Sequence, residues 1–215
     1  MARDVKGKVV LVTGSADGLG LAMVDHFLKN GAERAIMLDF NEKKGLQSLE
    51  NIKAKYGKDR AVFFPCNVVM DLDKIYAEVT KIVTVDIVIN NAGVLDEKSI
   101  RNTINVNALA VMEWTMKFFE YMRKDKGGNG GHEYTYNRTG VRVVAFCPGL
   151  TRTHMTNNPN VREEDTFNDF CVELKAEEWQ DVDDIGKGMV ETFQKADSGT
   201  VWLVEGGRAA EKINV

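Results

Sequence analysis

Between an apolar stretch and an amphipathic one stands a run of small residues, Thr13-Gly14-Ser15-Ala16-Asp17-Gly18-Leu19-Gly20, whose composition suits one kind of chemistry. Glycines let the backbone approach a pyrophosphate closely, and the N–H groups at a helix start carry partial positive charge to meet it. Asp39 ends the next apolar stretch, where a carboxylate accepts hydrogen bonds from ribose hydroxyls and repels a 2′-phosphate. No Lys or Arg stands at Ser15, Ala16 or Asp17 to attract that phosphate, so the expected ligand is NAD rather than NADP.

The remaining reactive side chains lack partners at useful spacing. His26, His132 and His154 are scattered, and Cys66, Cys147 and Cys171 sit outside any CxxC pattern, so neither a metal site nor a disulfide framework is expected. Cys147 follows an apolar run and reads as core, and Cys171 has no evident base to activate it. Tyr134 and Arg138 form a Tyr-x-x-x-Arg, and Asn137-Arg138-Thr139 fits a glycosylation acceptor by pattern alone. Met155, Phe167, Phe170 and Trp179 read either as helix packing or as part of a lid.

These residues need elements to hold them. Lys8 to Val12 reads as a continuous apolar run, rich in β-branched valine, suited to a strand buried on both faces of a parallel sheet. Helical spacing follows from Leu19 to Asn30, then a strand over 35–39, a helix over 42–56 and a strand over 61–65. A helix near 72–82, a strand over 86–89 and a helix over roughly 107–123 continue the alternation, which is that of an α/β fold with a doubly wound parallel sheet. Residues 124–140 contain no apolar run, yet a crossover to another parallel strand needs a dozen or more residues. With no residues for a further strand, the next one, Val141 to Phe146, is expected to pair directly beside 86–89, or else to leave a gap. A polar loop from Pro148, a helical stretch over 163–178, a helix over 182–193 and a last strand over 199–204 complete the chain.

Composition closes several doors. The 215 residues are 44% hydrophobic and 28% charged, which fits a single domain over 1–215 with a sizeable core. A net charge of −4 leaves no basic field for nucleic acid or anionic lipid. No apolar run approaches the length of a membrane span or a signal peptide core, so a cytoplasmic protein is expected.

The glycine spacing TGxxxGxG resembles the short-chain dehydrogenase/reductase family, and further motifs follow in order. Asn90-Asn91-Ala92-Gly93 closes the fourth strand, where the resemblance places Asn91, Ala92 and Gly93 beside the adenosine ribose. Cys66-Asn67-Val68 stands where the family has Cys-Asp-Val, which puts Asn67 and Val68 near the adenine with an amide replacing a carboxylate. Asn107, within Ile104-Asn105-Val106-Asn107-Ala108, matches the family's active-site asparagine, which holds a water for a proton relay. Pro148-Gly149-Leu150-Thr151-Arg152-Thr153 matches the motif whose threonines, here Thr151 and Thr153, meet the nicotinamide carboxamide. The run Cys147 to Thr151 and the Gly206-Gly207 ending are most similar to the insect alcohol dehydrogenase and 15-hydroxyprostaglandin dehydrogenase branch.

The resemblance implies a Rossmann sheet and an NAD-dependent oxidoreductase acting on secondary alcohols or ketones. In such enzymes hydride passes to NAD while an ionised tyrosine takes the hydroxyl proton, a serine orients the oxygen and a lysine completes the relay. Here the fifth strand, the serine, the Tyr-x-x-x-Lys motif and the helix bearing them are missing, as though Gly127 to Gly131 were joined directly to His132 to Gly140. Tyr134 matches the exit of that helix, not its catalytic position. Three expectations compete: an oxidoreductase that has lost an internal segment, a non-catalytic NAD-binding partner or sensor, and a chain too damaged to fold stably. The missing helix normally builds the family dimer, so that interface is expected to be impaired.

Overall fold

The computed structural model describes residues 3–128, 139–157, 160–163, 165, 168 and 178–214. Its first half alternates as the apolar runs demand: β1 (Val9–Thr13), α1 (Gly18–Lys29), β2 (Arg34–Asp39), α2 (Glu42–Tyr56), β3 (Ala61–Pro65), α3 (Leu72–Ile82) and β4 (Ile87–Ile89). The strands form one parallel sheet in the order β3-β2-β1-β4, with Leu11 registered between Ile36 and Val88. All five residues of β1 are buried. Successive side chains on a strand point to opposite faces. Val10 and Val12 accordingly join Val24, Phe27, Leu49 and Ile52 of α1 and α2, whereas Val9 and Leu11 join Ile75, Val79, Trp114 and Phe118 beneath the other face. Helices on both faces make this a doubly wound sheet.

The helix expected over 107–123 begins earlier. It runs through α4 (Ile100–Ile104), a π-helical turn (Asn105–Ala110) and α5 (Val111–Met122), with Asn105 and Val111 both in right-handed helical conformation. Asn107 therefore lies within a helix on a widened turn, a feature often found at functional sites. Trp114 is buried and donates its indole N–H to the Val68 carbonyl at 2.8 Å, tying the turn after β3 to α5.

The second half contains β5 (Ala145–Pro148), α6 (His154–Asn157), α7 (Val182–Lys195), β6 (Val201–Val204) and β7 (Glu211–Ile213). A capping box between Asp181 and Asp184 starts α7, which packs on α1, where buried His26 meets Asp183 at 2.7 Å. Most of the helical stretch expected over 163–178 lies outside the described residues.

The expected pairing of Val141–Phe146 beside β4 does not occur. β5 pairs in parallel with β6 alone, β6 pairs antiparallel with β7, and these three strands form a separate sheet. The physical reason lies in Arg142 and Val143, which are held by the end of α7 and the loop before β6. The Arg142 guanidinium donates to the carbonyls of Ala196 at 2.6 Å and Phe193 at 3.3 Å, and the Val143 carbonyl accepts the Gly199 N–H at 2.8 Å. A cation satisfying the last carbonyls of a helix is favourable. The chain thus follows β6 and leaves the alternative outcome, a gap. Among the described residues no strand lies between β4 and β5. Both strands facing the gap are less covered than β1, Ala145 and Pro148 being exposed and Ile87 and Val88 only half-buried. Cys147 is likewise half-buried rather than in the core.

Candidate functional site

Tight packing of the turn after β1 begins with its glycines. Gly14 has φ +65°, and a Cβ there would lie 2.8 Å from the Ala92 Cα, so both the backbone shape and the close approach require glycine. Gly18, at φ +57°, opens α1. Gly20 packs against the Gly14 carbonyl, bringing the helix start onto the turn. Leu19, in the first turn of α1, is partly buried against the core, and Ser15 is buried, its hydroxyl donating to the Leu38 carbonyl at 3.3 Å. Asp17 stands at the N-cap of α1 without a side-chain cap bond.

Asn91 locks this turn to the end of β4. Its Nδ2 donates to the carbonyls of Thr13 and Gly14 at 2.9 and 3.0 Å, and the N–H groups of Asn91 and Ala92 both donate to the Thr13 hydroxyl at 3.0 Å. Gly93 lies 3.5 Å, from where its Cβ would be, to the Asn107 Oδ1. Two net hydrogen bonds are worth about 2 kcal/mol. Asn91→Ala is accordingly expected to lower unfolding free energy by about that amount, read from the urea midpoint at constant slope.

On the other side of the turn, Asp39 accepts from the Ala16 N–H at 2.9 Å with one oxygen and from the Asn41 N–H at 2.8 Å with the other. A carboxylate has about four lone-pair sites, so acceptor capacity remains for ribose hydroxyls. The Cys66 N–H donates to the Asp39 carbonyl at 2.8 Å, which brings the turn of Asn67 and Val68 alongside. The Asn67 side chain is engaged locally, accepting the Val69 N–H at 3.0 Å. Burial pushes the Cys66 thiol up to about 12, with the charges of Asp71 and Asp39 adding to it, so no thiolate nucleophile exists there near neutrality.

Pro148 ends β5, and the N–H of Gly149 after it donates to the Val204 carbonyl at 2.7 Å. The Thr151 hydroxyl turns back to the Gly149 carbonyl at 2.8 Å and is buried. Thr153 reaches the glycine turn, its methyl carbon 3.7 Å from where a Gly18 Cβ would stand. A groove of about 600 Å³ runs between α1, α2 and the start of α7, walled by Asp25, Ser48, Lys55 and Asp183 and reaching Asp17 and Thr153 at one end; Gly14, Asp39, Asn91 and Thr151 do not line it. Asn107 is brought to the end of β4, but its amide is closed on a neighbour. Its Oδ1 accepts the Val94 N–H and its Nδ2 donates to the Val94 carbonyl, both at 2.8 Å.

Tyr134, Arg138, His132, Phe167, Phe170 and Cys171 lie outside the described residues. Among the described residues no group of three or more His, Cys, Asp or Glu could hold a metal, and no helix is long and apolar enough to cross a membrane. Three residues that pattern reading missed support the site. Gln180, buried, donates to the Val204 carbonyl at 2.8 Å and accepts the Gly207 N–H at 3.2 Å, holding the loop after β5. Ser48 donates to the Ala16 carbonyl at 2.7 Å. Lys44 pairs with Asp17.

Residues 8–129 match the profile of the short chain dehydrogenase family. Over 131 residues the chain is 36% identical to 15-hydroxyprostaglandin dehydrogenase [NAD(+)] of Macaca fascicularis, a match covering 59% of this chain and 48% of that protein. The chain thus spans about half the length of that relative. Alcohol dehydrogenase 1 of Ceratitis capitata is 22% identical over 244 aligned positions, covering 95% of this chain and 94% of the other. In fold the chain is similar to a 3-ketoacyl-(acyl-carrier-protein) reductase from Brucella melitensis solved with NADH, at a TM-score of 0.71 and 20% identity, with 96% of this chain and 100% of that one covered.

Proposed function

The chain belongs to the short chain dehydrogenase family, and from that premise we propose that it is a single NAD-binding domain over residues 1–215 that holds the dinucleotide without turning over secondary alcohols or ketones. Asp39 carries the cofactor reading. Its carboxylate is fixed at the mouth of the glycine turn by the Ala16 N–H, where it meets ribose hydroxyls and opposes a 2′-phosphate. Gly14, Ser15, Asp17, Gly18, Leu19 and Gly20 would take the pyrophosphate side, Asn67 and Val68 the adenine, Asn91, Ala92 and Gly93 the adenosine ribose. Pro148, Gly149, Thr151 and Thr153 would take the nicotinamide end. NAD bound there supplies a hydride acceptor; the chain's own residues supply orientation and the discrimination against phosphate.

Loss of turnover follows from what Asn107 lacks. Its side chain spends one donor and one acceptor on the Val94 backbone, and among the described residues no strand lies between β4 and β5 to aim a serine, tyrosine and lysine. The alignment to the Ceratitis capitata enzyme runs to 244 positions against 215 residues here, which supports an internal segment being absent from this chain. The alternative, a partner or sensor that uses NAD binding alone, shares the same site. In either case a cytoplasmic protein with an impaired family dimer fits the reading.

Titration followed by nicotinamide fluorescence tests the cofactor assignment: NADH is expected to bind at least about tenfold more tightly than NADPH, a difference of about 1.4 kcal/mol. Equal or reversed preference removes the argument from Asp39.

A further inference from the structure

We propose that Gln180 is a positioning residue for the nicotinamide end of the dinucleotide site: it clamps the loop after β5 from behind and so sets where Thr153 stands. The inference rests on the reading of the glycine turn as an NAD site and adds to that site a residue that acts through its neighbours. Gln180 is 2% exposed, and its main chain runs beside Thr151 as an isolated parallel bridge. Its N–H donates to the Leu150 carbonyl at 2.9 Å and its carbonyl accepts the Arg152 N–H at 3.0 Å. The side chain reaches further. Its Nε2 donates to the Val204 carbonyl at 2.8 Å and to the Thr151 hydroxyl at 3.3 Å, while its Oε1 accepts the Gly207 N–H at 3.2 Å. Such an amide has one orientation, since turning it over would set oxygen against the Val204 carbonyl and nitrogen against the Gly207 N–H. The turn after β6 delivers that N–H by taking left-handed φ at both Gly206 and Gly207, +58° and +69°, which is where the glycine pair is needed.

The two threonines of the loop divide the work. The Thr151 hydroxyl is buried and gives its proton to the Gly149 carbonyl at 2.8 Å while accepting from Gln180, so it belongs to the clamp. Thr153 lies just past the bridge. Its N–H donates to the Thr156 hydroxyl at 2.9 Å, its own hydroxyl accepts the Thr156 N–H at 3.2 Å, and its methyl carbon faces Gly18. Where that turn of chain sits against the glycine turn is inherited from the bridge one residue before it. With the clamp removed, the loop holds the competent geometry only part of the time, and apparent affinity falls in proportion to that fraction. The rest of the dinucleotide site has its own anchors, Asp39 on the Ala16 N–H and Asn91 on the Thr13 carbonyl, in which Gln180 takes no part. A defect at Gln180 is therefore felt at the nicotinamide and spares the adenosine and pyrophosphate.

Gln180→Met keeps the length and bulk of the side chain and removes its three hydrogen bonds. NADH is titrated by nicotinamide fluorescence, and ADP-ribose, which lacks the nicotinamide, by calorimetry, on the unmodified chain, Gln180→Met, Thr153→Val and the double variant. Gln180→Met is expected to weaken NADH about tenfold and ADP-ribose less than about threefold. In the Thr153→Val background the same change is expected to cost NADH less than about threefold, because a positioning residue and the residue it positions are not additive. Equal weakening of the two ligands, or unchanged NADH affinity, overturns the proposal, and a tenfold loss that persists without the Thr153 hydroxyl overturns the route through Thr153. If Gln180→Met loses both ligands, the same test is read from Gly207→Ala, where a Cβ has space but the left-handed backbone resists. There NADH is expected to weaken about threefold with ADP-ribose unchanged, and equal effects on both overturn the proposal. An unmodified chain that binds ADP-ribose as tightly as NADH overturns the proposal while sparing the reading of the glycine turn. Binding of neither ligand by the unmodified chain overturns both.

Discussion

With NAD saturating, a panel of secondary alcohols is expected to give turnover at least about 10² to 10⁴ below that of a family member with a full relay, because that is the contribution of positioned acid–base groups. The loss is not a sum of single effects, since serine, tyrosine and lysine act as one unit. An unassisted tyrosine near its reference value of about 10 would need roughly 4 kcal/mol to ionise near pH 7, and a lysine and the positive nicotinamide normally supply it. Asn107 remains, with one donor and one acceptor of its amide on the Val94 backbone, but it has no relay to complete. Restoring a family-like segment between Gly131 and His132 is expected to recover activity, and to insert a strand between β4 and β5, whose facing edges have no partner among the described residues. Turnover by the unmodified chain that Tyr134→Phe abolishes would overturn this and promote Tyr134 and Arg138 to catalytic residues. Turnover insensitive to that substitution would point to another site. Intact mass and transcript sequencing establish whether an internal segment is missing from the product.

How far such a site is legible in sequence depends on how local its causes are. The strands of the first sheet were readable because a parallel strand covered on both faces is apolar along its length, and Val9–Val12 is. Gly14 and Gly20 were readable because close backbone approach leaves a glycine signature, whereas Asn91 came only from the resemblance of the motif after the fourth strand. The start of the long helix was not, since Ile100 and Ile104 are exposed and give no core-facing stripe from which a helix could be inferred. β7 was invisible for a related reason. Glu211 and Lys212 are exposed, and the strand exists only through pairing with β6. The misplaced pairing of 141–146 came from treating the sheet as the sole partner of that segment, when Arg142 and Val143 are held by the end of α7 and the loop before β6. Lys44 and Gln180 belong to contacts 27 and 24 residues distant in sequence, which no periodicity encodes.

Gly20→Ala is expected to lower stability by about 3–5 kcal/mol and to abolish dinucleotide binding. Unlike Gly14 and Gly18, Gly20 has no positive φ, so its requirement for glycine is one of space. A Cβ there would overlap the Gly14 carbonyl oxygen and lie 2.6 Å from the Asn91 Nδ2 and 2.9 Å from the Gly14 carbonyl carbon. Two of these are backbone atoms and cannot rotate away. α1 would have to withdraw from the turn, an overpacking cost of about 1–3 kcal/mol, while the displaced Asn91 amide gives up two hydrogen bonds worth about 1 kcal/mol each. Withdrawal also carries the N–H groups of the first helical turn away from a bound pyrophosphate. Gly18→Ala separates the two causes. The nearest neighbours of a Cβ there are Thr153 carbons at 3.7 and 3.9 Å, so space is available and only the left-handed backbone resists, at about 1–2 kcal/mol. Urea unfolding should therefore rank Gly20→Ala well below Gly18→Ala, and NADH titration should find weakened binding in the second and none in the first. Equal stabilities for the two variants would show that α1 does not rest on the Gly14 carbonyl.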